Sequence, residues 1–262
     1  MQNIIQMRDV SVSFKGYNAL EDINIDIPQS SFISVIGPNG AGKSTFIKLI
    51  NGLQRPSSGN IRVMGKCPES GNIRNIRKNT GYISQERHND PRAPVSVFEA
   101  VALGRYGKIG LLRSLTPSDR KAIERALKIT GLDALSSRPV GLLSGGEKQK
   151  TAVARAIAQE PKLMLMDEPS TNLDLRSQRD IRDIIENIYL KEKVTIIYVT
   201  HILDHIPPSC SRTLMMKKGR IVWSGAKKDI YNDNLLSKLY GGDFYCAGGK
   251  LALSSVGEAG RV

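Results

Sequence analysis

The sequence predicts an α/β fold that combines a mainly parallel sheet, an antiparallel β subdomain and a helical insert. Phe32–Ile36 and residues 162–167 and 194–200 are almost wholly apolar, as strands buried on both faces of a parallel sheet are. Residues 176–190, between the last two, are predicted to be helical, which implies a right-handed crossover. Residues 4–27 contain stretches that alternate apolar and polar side chains with period two, which is typical of half-exposed antiparallel strands.

Composition and charge limit the classes of protein that the chain can represent. Its 262 residues suffice for one large domain or two small ones, and 40% hydrophobic with 24% charged residues indicates a folded globular chain. The net charge of +13 favours anionic partners such as nucleotides, nucleic acids or acidic membrane surfaces. No apolar run approaches the roughly 18 residues that cross a bilayer, so any membrane role is expected to be peripheral. Three cysteines without a CxxC pair indicate neither a zinc site nor a disulfide framework.

The remaining elements follow in order along the chain. A glycine loop after the first buried strand leads into a predicted helix over Lys43–Ile50 and then to a strand over 61–64. The pattern changes between residues 86 and 143, where residues 97–105 and Pro117–Thr130 are predicted to be helical. In the second of these helices, apolar side chains recur at i, i+3 and i+4. We therefore predict a helical insert within an otherwise α/β domain.

The glycine loop carries a phosphate-binding pattern. Residues 37–44 match GxxxxGK[ST] and lie between a buried strand and a helix, as the mechanism requires. Glycines let backbone N–H groups surround the phosphates, and the helix N-terminus adds a positive dipole. Lys43 then supplies a charge to the terminal phosphates and Ser44 an oxygen to Mg²⁺. The predicted nucleotide-binding residues of this loop are Gly37, Pro38, Asn39, Gly40, Ala41, Gly42, Lys43, Ser44 and Thr45.

Two adjacent carboxylates end the second buried strand. Asp167 and Glu168 follow four apolar residues, at the edge where open α/β sheets place their ligands. Because side chains alternate along a strand, Asp167 is expected to hold Mg²⁺ and Glu168 to polarise an attacking water. A solvated acidic turn is the alternative, and Pro169 together with the apolar strand makes it the weaker interpretation.

A second helix start of the anion-binding kind follows the insert. Ser144, Gly145 and Gly146 open a predicted helix that runs to about residue 158, so backbone N–H groups and a dipole are again available to a phosphate. In these motifs the chain resembles the ATP-binding cassette family, over about residues 4–240. Members of that family bind ATP between the phosphate loop of one subunit and the serine-glycine signature of another.

The resemblance assigns further roles, residue by residue. Gln85 matches the glutamine that senses Mg²⁺ and the insert, Asp174 lies in the loop that crosses the dimer interface, and His201 matches the histidine that contacts the γ-phosphate. Family spacing places the adenine-stacking ring at Phe14, whereas Tyr17 is the other aromatic candidate. Glu147 departs from the commoner glutamine and adds negative charge near a bound anion. His88 and His205 are interpreted as surface residues.

The resemblance also implies the domain limits and the function. Residues 1–240 are expected to form a P-loop ATPase domain, with a helical subdomain over about 86–158 and a poorly ordered tail over 241–262. ATP and Mg²⁺ are the implied cofactors. The implied assembly is a head-to-tail homodimer with two transmembrane permease subunits and, indirectly, a substrate-binding protein, at the cytoplasmic face of the membrane.

Uptake of a metal ion, iron chelate, haem or cobalamin is favoured by the resemblance of residues 101–112 and 234–241 to that subclass. The ATPase of an exporter and an ATPase acting on nucleic acid are the alternatives. The short spacing from Lys43 to Ser144 leaves no room for the coiled coil of chromosome-maintenance relatives, and a single set of motifs is unlike the tandem arrangement of ribosome-associated ones. No nucleic-acid partner is therefore expected.

Overall fold

Two β-sheets and the helices packed against them make up the computed structural model of the chain. It describes residues 2–69, 71–84, 94–110, 113–231, 233–240, 244–247 and 250–253. The strands are β1 (Asn3–Phe14), β2 (Tyr17–Pro28), β3 (Phe32–Ile36), β4 (Ser58–Val63), β5 (Thr80–Ile83), β6 (Leu163–Asp167), β7 (Thr195–Val199), β8 (Arg212–Lys217), β9 (Arg220–Ala226), β10 (Phe244–Ala247) and β11 (Lys250–Leu253). The helices are α1 (Lys43–Ile50), α2 (Ile73–Lys78), α3 (Val97–Ile109), α4 (Pro117–Thr130), α5 (Gly145–Ala158), α6 (Leu175–Glu192) and α7 (Asp233–Tyr240).

The main sheet has the predicted parallel arrangement. Its strand order is β5-β6-β7-β3-β8-β9, and every neighbouring pair is parallel except β8 and β9. All residues of β3, β6 and β7 are buried, which explains their continuous apolar sequence. Because these three strands run side by side in one direction, the loops that follow them meet at one edge of the sheet.

The antiparallel subdomain is also confirmed. β1 pairs with β2 and with β4 in a three-stranded sheet, and its alternating pattern places Ile5, Met7 and Val10 in the core. This sheet and α1 cover one face of the main sheet, where Phe46 and Ile47 are fully buried.

Helices α3, α4 and α5 form the helical part of the chain and join the core on the other face of the main sheet. Ser96 begins α3 with a capping box, in which its hydroxyl accepts from the Glu99 N–H while the Glu99 carboxylate accepts from the Ser96 N–H. The helix runs four residues beyond the predicted 105. Buried Arg105 of α3 binds Asp119 of α4 at 2.8 Å and the Ala158 carbonyl at 2.8 Å, so one guanidinium joins all three helices.

Beyond residue 240 the described part of the tail consists of β10 and β11, which pair antiparallel with each other. Among the described residues, none of the helices combines the length and the apolar composition that spanning a bilayer requires.

Candidate nucleotide-binding and catalytic site

The phosphate loop connects β3 to α1 and leaves the start of that helix open. Gly42 is the N-terminal boundary residue of α1, with φ at +96°, and it has no side chain with which to cap the helix. A Cβ at Gly42 would lie 2.5 Å from the Ala19 carbonyl oxygen, and one at Gly37 would lie 2.2 Å from that of Met216. Only glycine therefore allows the loop to pass this close to neighbouring backbone. The first N–H groups of α1 point out of the loop, where an anion is favoured.

Lys43 is bound within this loop. Its side chain is 94% buried, and its ammonium group donates to the carbonyls of Gly37 at 2.8 Å and Pro38 at 3.0 Å. Burial lowers the pKa of Lys43, while the nearby charges of Glu168 and Asp167 oppose that shift. The ammonium group is thus held at the loop by contacts that a phosphate can replace.

A cavity of about 380 Å³ lies over the loop. The described residues that line it are Tyr17, Ala19, Asn39, Gly40, Ala41, Gly42, Lys43, Ser44, Thr45 and Glu168. Phe14 pairs with Tyr17 across the β1–β2 turn and is 44% exposed, but it does not line the cavity. Tyr17 is 57% exposed and its hydroxyl donates to the Gly40 carbonyl at 3.4 Å. The ring that faces the cavity is therefore that of Tyr17.

Asp167 and Glu168 take the different orientations that their adjacency predicts. Burial raises the pKa of Asp167, against the opposing hydrogen bond from Ser44. Within the described part of the chain, the buried Asp167 Oδ1 has no hydrogen-bond partner. Glu168 turns away from the strand at a positive φ of 50° and lines the cavity over the phosphate loop. The two acids therefore meet different surroundings although they are neighbours in sequence.

Glu168 is held by side chains from two loops. His201 Nδ1 lies 3.0 Å from Glu168 Oε1, and the Thr171 hydroxyl donates to Oε2 at 3.1 Å. The backbone N–H of Glu168 also donates to the Val199 carbonyl on β7 at 3.0 Å. The sequence predicts roles for Glu168 and His201 but not the contact between them. It does not predict the contact of Thr171 with Glu168, for which the hydroxyl three residues after the acid is the available signal.

The signature residues lie at the start of α5. The Ser144 hydroxyl accepts from the Glu147 N–H at 3.2 Å, and the Glu147 carboxylate accepts from the Ser144 N–H at 2.7 Å. These bonds hold the pKa of Glu147 below its usual range. Gly145 is the first residue of the helix, and Gly146 faces Ser177, whose Oγ would lie 2.3 Å from a Cβ at that position. The sequence pattern S-x-x-E was itself the signal of this capping box.

Asp174 begins α6 in the same chain. Its carboxylate accepts from the Ser177 N–H at 2.9 Å and from the Ser177 hydroxyl at 2.7 Å, and these bonds hold its pKa below the usual range. Among the described residues, neither Asp174 nor Ser144, Gly145 and Gly146 line the cavity over the phosphate loop. Gln85 lies outside the described residues.

His205 is not the plain surface residue that the sequence suggests. It is half-buried, and its ring lies 3.1 Å from both Ser170 Oγ and Gln178 Oε1. The sequence held no signal of this, because one partner comes from the loop after β6 and the other from helix α6.

A parallel sheet with a glycine loop and helix after one strand and two carboxylates after another defines a P-loop nucleoside triphosphatase. The family model for ABC transporters matches residues 20–171, which is more than half of the chain. The chain belongs to the ABC transporter family and is an ATP-binding, ATP-hydrolysing subunit of that family.

Relatives with different named substrates are similar over most of the chain. The manganese transport system ATP-binding protein MntB of Halalkalibacterium halodurans is 32% identical over 243 residues, which cover 93% of this chain and 94% of the relative. The phosphonates import ATP-binding protein PhnC of Rhizobium etli is 34% identical over 248 residues, which cover 92% and 87%. Similarity at this level therefore does not by itself name the substrate.

A solved structure shares the fold over nearly the whole length. It is that of cbiO1 from Clostridium perfringens, described as part of the ABC transporter complex cbiONQ. The TM-score is 0.78 with 29% identity, and the match covers 91% of this chain and 94% of that one. The P-loop ATPase core with its antiparallel sheet and helices is thus the family's cassette fold.

Proposed function

We propose that two copies of this chain bind two ATP molecules head to tail, each between the phosphate loop of one copy and the signature of the other. One observation carries the proposal. The cavity over Lys43 offers one open helix start to the phosphates, while the second, at Ser144, lies elsewhere in the same chain. A second copy supplies that missing wall. Gln85 and the signature residues keep their predicted roles only within this proposal.

A divalent cation fits the group formed by Ser44 and Asp167. The buried Asp167 Oδ1 has no hydrogen-bond partner in the described part of the chain, and a hydroxyl and a carboxylate are the oxygen ligands that Mg²⁺ prefers. We assign Mg²⁺ to Ser44 and Asp167, with Gln85 as the further ligand that the sequence suggests. When bound, the ion neutralises charge on the terminal phosphates.

Glu168 is the group that we assign to the attacking water. Its carboxylate lines the nucleotide cavity, and contacts from His201 and Thr171 hold it in one orientation. The carboxylate accepts a hydrogen bond from water and orients the oxygen towards the γ-phosphate. We assign to His201, whose Nδ1 lies 3.0 Å from the acid, the stabilisation of charge that develops on that phosphate.

Tyr17 is the ring that we assign to adenine, in preference to Phe14. Tyr17 faces the cavity and Phe14 does not. An aromatic ring beside the loop provides a flat apolar surface for the base.

We further propose that the dimer acts on two transmembrane permease subunits and drives uptake of a metal ion or metal chelate. The named function of MntB supports this cargo, and the description of cbiO1 as part of a transporter complex supports the assembly. Such a subunit would be peripheral at the cytoplasmic face of the membrane, where its +13 charge favours anionic headgroups. A substrate-binding protein would contact the permeases rather than this chain.

The decisive variant is Glu168→Gln. It preserves the shape of the side chain but removes the negative charge that orients water, so we expect turnover to fall by about 100-fold or more while ATP binding is retained. ATP should then hold the variant as a dimer in size-exclusion chromatography with light scattering. Glu124→Gln, an exposed glutamate of α4, is the control for loss of a carboxylate. Full residual activity of Glu168→Gln would remove the acid from this role.

The same charge that favours a membrane also favours nucleic acid, so that alternative is tested directly. ATPase rates are recorded with the permease pair in lipid vesicles and, separately, with DNA or RNA at several salt concentrations. Stimulation by the permeases alone supports the transport proposal. Strong, salt-sensitive stimulation by nucleic acid would replace it.

A further inference from the structure

A chain of hydrogen bonds joins the two loops that leave β6 and β7. The first loop runs from Glu168 to Asp174 and contains Ser170 and Leu173. The second carries His201 and the short 3₁₀ turn Leu203–His205. The proposed function uses Glu168 and His201, and the family resemblance places Asp174 at the dimer interface, but neither explains why His205 of the second loop is half-buried against the first.

The distances define a continuous chain. Tyr198 Oη on β7 lies 3.3 Å from Ser170 Oγ, which lies 3.1 Å from His205 Nδ1. On the other side of the ring, His205 Nε2 lies 3.1 Å from Gln178 Oε1, and Gln178 Nε2 donates to the Leu173 carbonyl at 2.8 Å. Leu173 precedes Asp174, so the chain leads from the buried sheet to the loop at the proposed dimer interface.

The Leu173 carbonyl, at the end of the chain, determines which group donates in each hydrogen bond. A carbonyl oxygen only accepts, so the Gln178 amide must turn its NH₂ group towards Leu173 and its oxygen towards His205. His205 Nε2 must then carry a proton, so in the neutral ring Nδ1 accepts. Ser170 accordingly donates to Nδ1 and accepts from the Tyr198 hydroxyl. Burial raises the pKa of Tyr198 to about 12, which keeps that hydroxyl protonated.

We propose that neutral His205 is a positioning residue that ties the loop after Glu168 to the turn after His201, and thereby sets where Asp174 meets the partner copy. The two loops are then held together, because the ring of the second loop is hydrogen-bonded directly to Ser170 of the first and, through Gln178 of α6, to the Leu173 carbonyl. The link to Asp174 and the partner rests on the proposed function. The tautomer and the bonds of His205 do not.

Protonation of His205 would reverse part of the chain, because Nδ1 would then donate: Ser170 would have to accept from Nδ1 and turn its own hydrogen towards Tyr198, and the half-buried ring would carry a positive charge. Burial, followed by the nearby His201, lowers the pKa of His205 from 6.5. The charged and titratable groups that face the ring are His201, Asp204, Arg179, Arg182 and Lys227. Of these, Asp204 alone favours the protonated ring, and the cations oppose it. The neutral ring, and with it this arrangement of the hydrogen bonds, is expected above the ordinary histidine pKa and is lost as pH falls through the lowered value.

The first test is spectroscopic and needs no turnover. The sequence has three histidines, so a long-range ¹H–¹⁵N spectrum of the labelled full-length chain can be assigned from His205→Leu and His201→Gln. At pH 7.5 we expect His205 as the Nε2–H tautomer, with a pKa below 6.5. In Ser170→Ala the pKa of His205 should rise, because a donor to Nδ1 is removed. An Nδ1–H tautomer, or a protonated ring at pH 7.5, would overturn the proposal.

The second test is kinetic. His205→Leu keeps a side chain of similar bulk but makes none of the bonds, so we expect kcat for ATP to fall about tenfold with KM changed less than about twofold. Wild-type kcat should decline at acid pH with an inflection that His205→Leu lacks. His205→Asn, whose amide oxygen can still accept from Ser170, should recover part of the rate.

The matched control is Arg179→Gln, which removes a charge from the same cavity without touching the hydrogen-bond chain. It should keep the wild-type rate at pH 7.5, and because one opposing cation is lost, its acid inflection should lie slightly higher than that of wild type. If Arg179→Gln reproduces the effect of His205→Leu, the cavity's charge and not the chain sets the rate, and the proposal is wrong. If wild type binds no ATP while His205 shows the expected tautomer, the proposed function fails and the tie between the loops stands.

Discussion

Helices α1 and α5 both begin with glycine motifs, but the structure prepares their two ends differently. Gly42 precedes α1 and offers no side chain, so the first N–H groups of that helix open into the nucleotide cavity. Ser144 precedes α5, and a complete capping box with Glu147 already satisfies two N–H groups of that end, those of Ser144 and Glu147. The start of α1 is therefore free to bind an anion, whereas at the start of α5 the Glu147 carboxylate is already bound.

This difference indicates how the two ends are used. A helix start that binds phosphate within its own chain gains nothing from a cap, because the ligand supplies the missing acceptor. A helix start that meets a ligand only across a dimer stands in water the rest of the time, and a cap stabilises it in that state. We infer that closure of the dimer exchanges the Ser144–Glu147 bonds for bonds to the partner's nucleotide.

The largest expected effect is at the open end. Lys43→Ala removes the buried ammonium group beside the loop, so we expect ATP affinity to fall by about 100-fold, as loss of a charge-assisted contact implies. The measurement is isothermal titration with ATP and Mg²⁺. Lys48→Ala, an exposed lysine on the same helix, is the control and should bind as wild type does. Equal affinity in Lys43→Ala and wild type would contradict the assignment of the phosphate loop.

An intermediate effect is expected at the capped end. Ser144→Ala removes the cap, which should lower the free energy of unfolding by about 1 kcal/mol. Because the same hydroxyl is proposed to contact the partner's nucleotide, turnover should also fall about tenfold, while ATP binding to the monomer stays unchanged.

Ser96→Ala is the matched control for that variant, since it opens the equivalent capping box of α3. It should lose similar stability in urea unfolding and keep turnover. If both variants lose turnover equally, the effect of Ser144→Ala is one of stability alone, and the two helix starts do not differ in function.

The smallest effect should sharpen the comparison. Glu147 is ionised at neutral pH, because its bonds to Ser144 hold its pKa below the usual range. Glu147→Gln can still close the capping box but places no negative charge beside the partner's phosphate, so we expect ATP-induced dimerisation to strengthen about threefold. Light scattering at low and high salt measures this, and the gain should shrink with salt. Weaker dimerisation in Glu147→Gln would mean that the carboxylate makes a favourable contact across the interface.

Much of the site followed from local sequence. The GxxxxGK[ST] spacing specifies the turn, the helix start and the lysine within a few consecutive residues. The pattern therefore predicts the geometry of the loop directly. Asp167 and Glu168 were placed equally well, because an apolar strand in a parallel sheet has one exit edge. The helices over Lys43–Ile50 and Pro117–Thr130 begin and end where their caps and periodicity predict.

Contacts between loops did not follow from sequence. Tyr17 and Phe14 are three residues apart at one turn, and only the path of the phosphate loop decides that Tyr17 faces the cavity. The pairing of Glu168 with His201 and the hydrogen bonds of His205 depend on β6 and β7 lying side by side, which places residues more than 25 positions apart within 3.1 Å.

The amino-acid sequence by itself determined the class of fold, the phosphate loop, the two acids and the capped signature helix, because each depends on residues that are neighbours along one strand or one helix turn. Tertiary structure alone decided which ring faces the nucleotide and which histidine joins the two loops. Those contacts depend on the order of the strands and on the close approach of backbone segments. They join residues that are far apart in sequence, so a short stretch of sequence does not predict them.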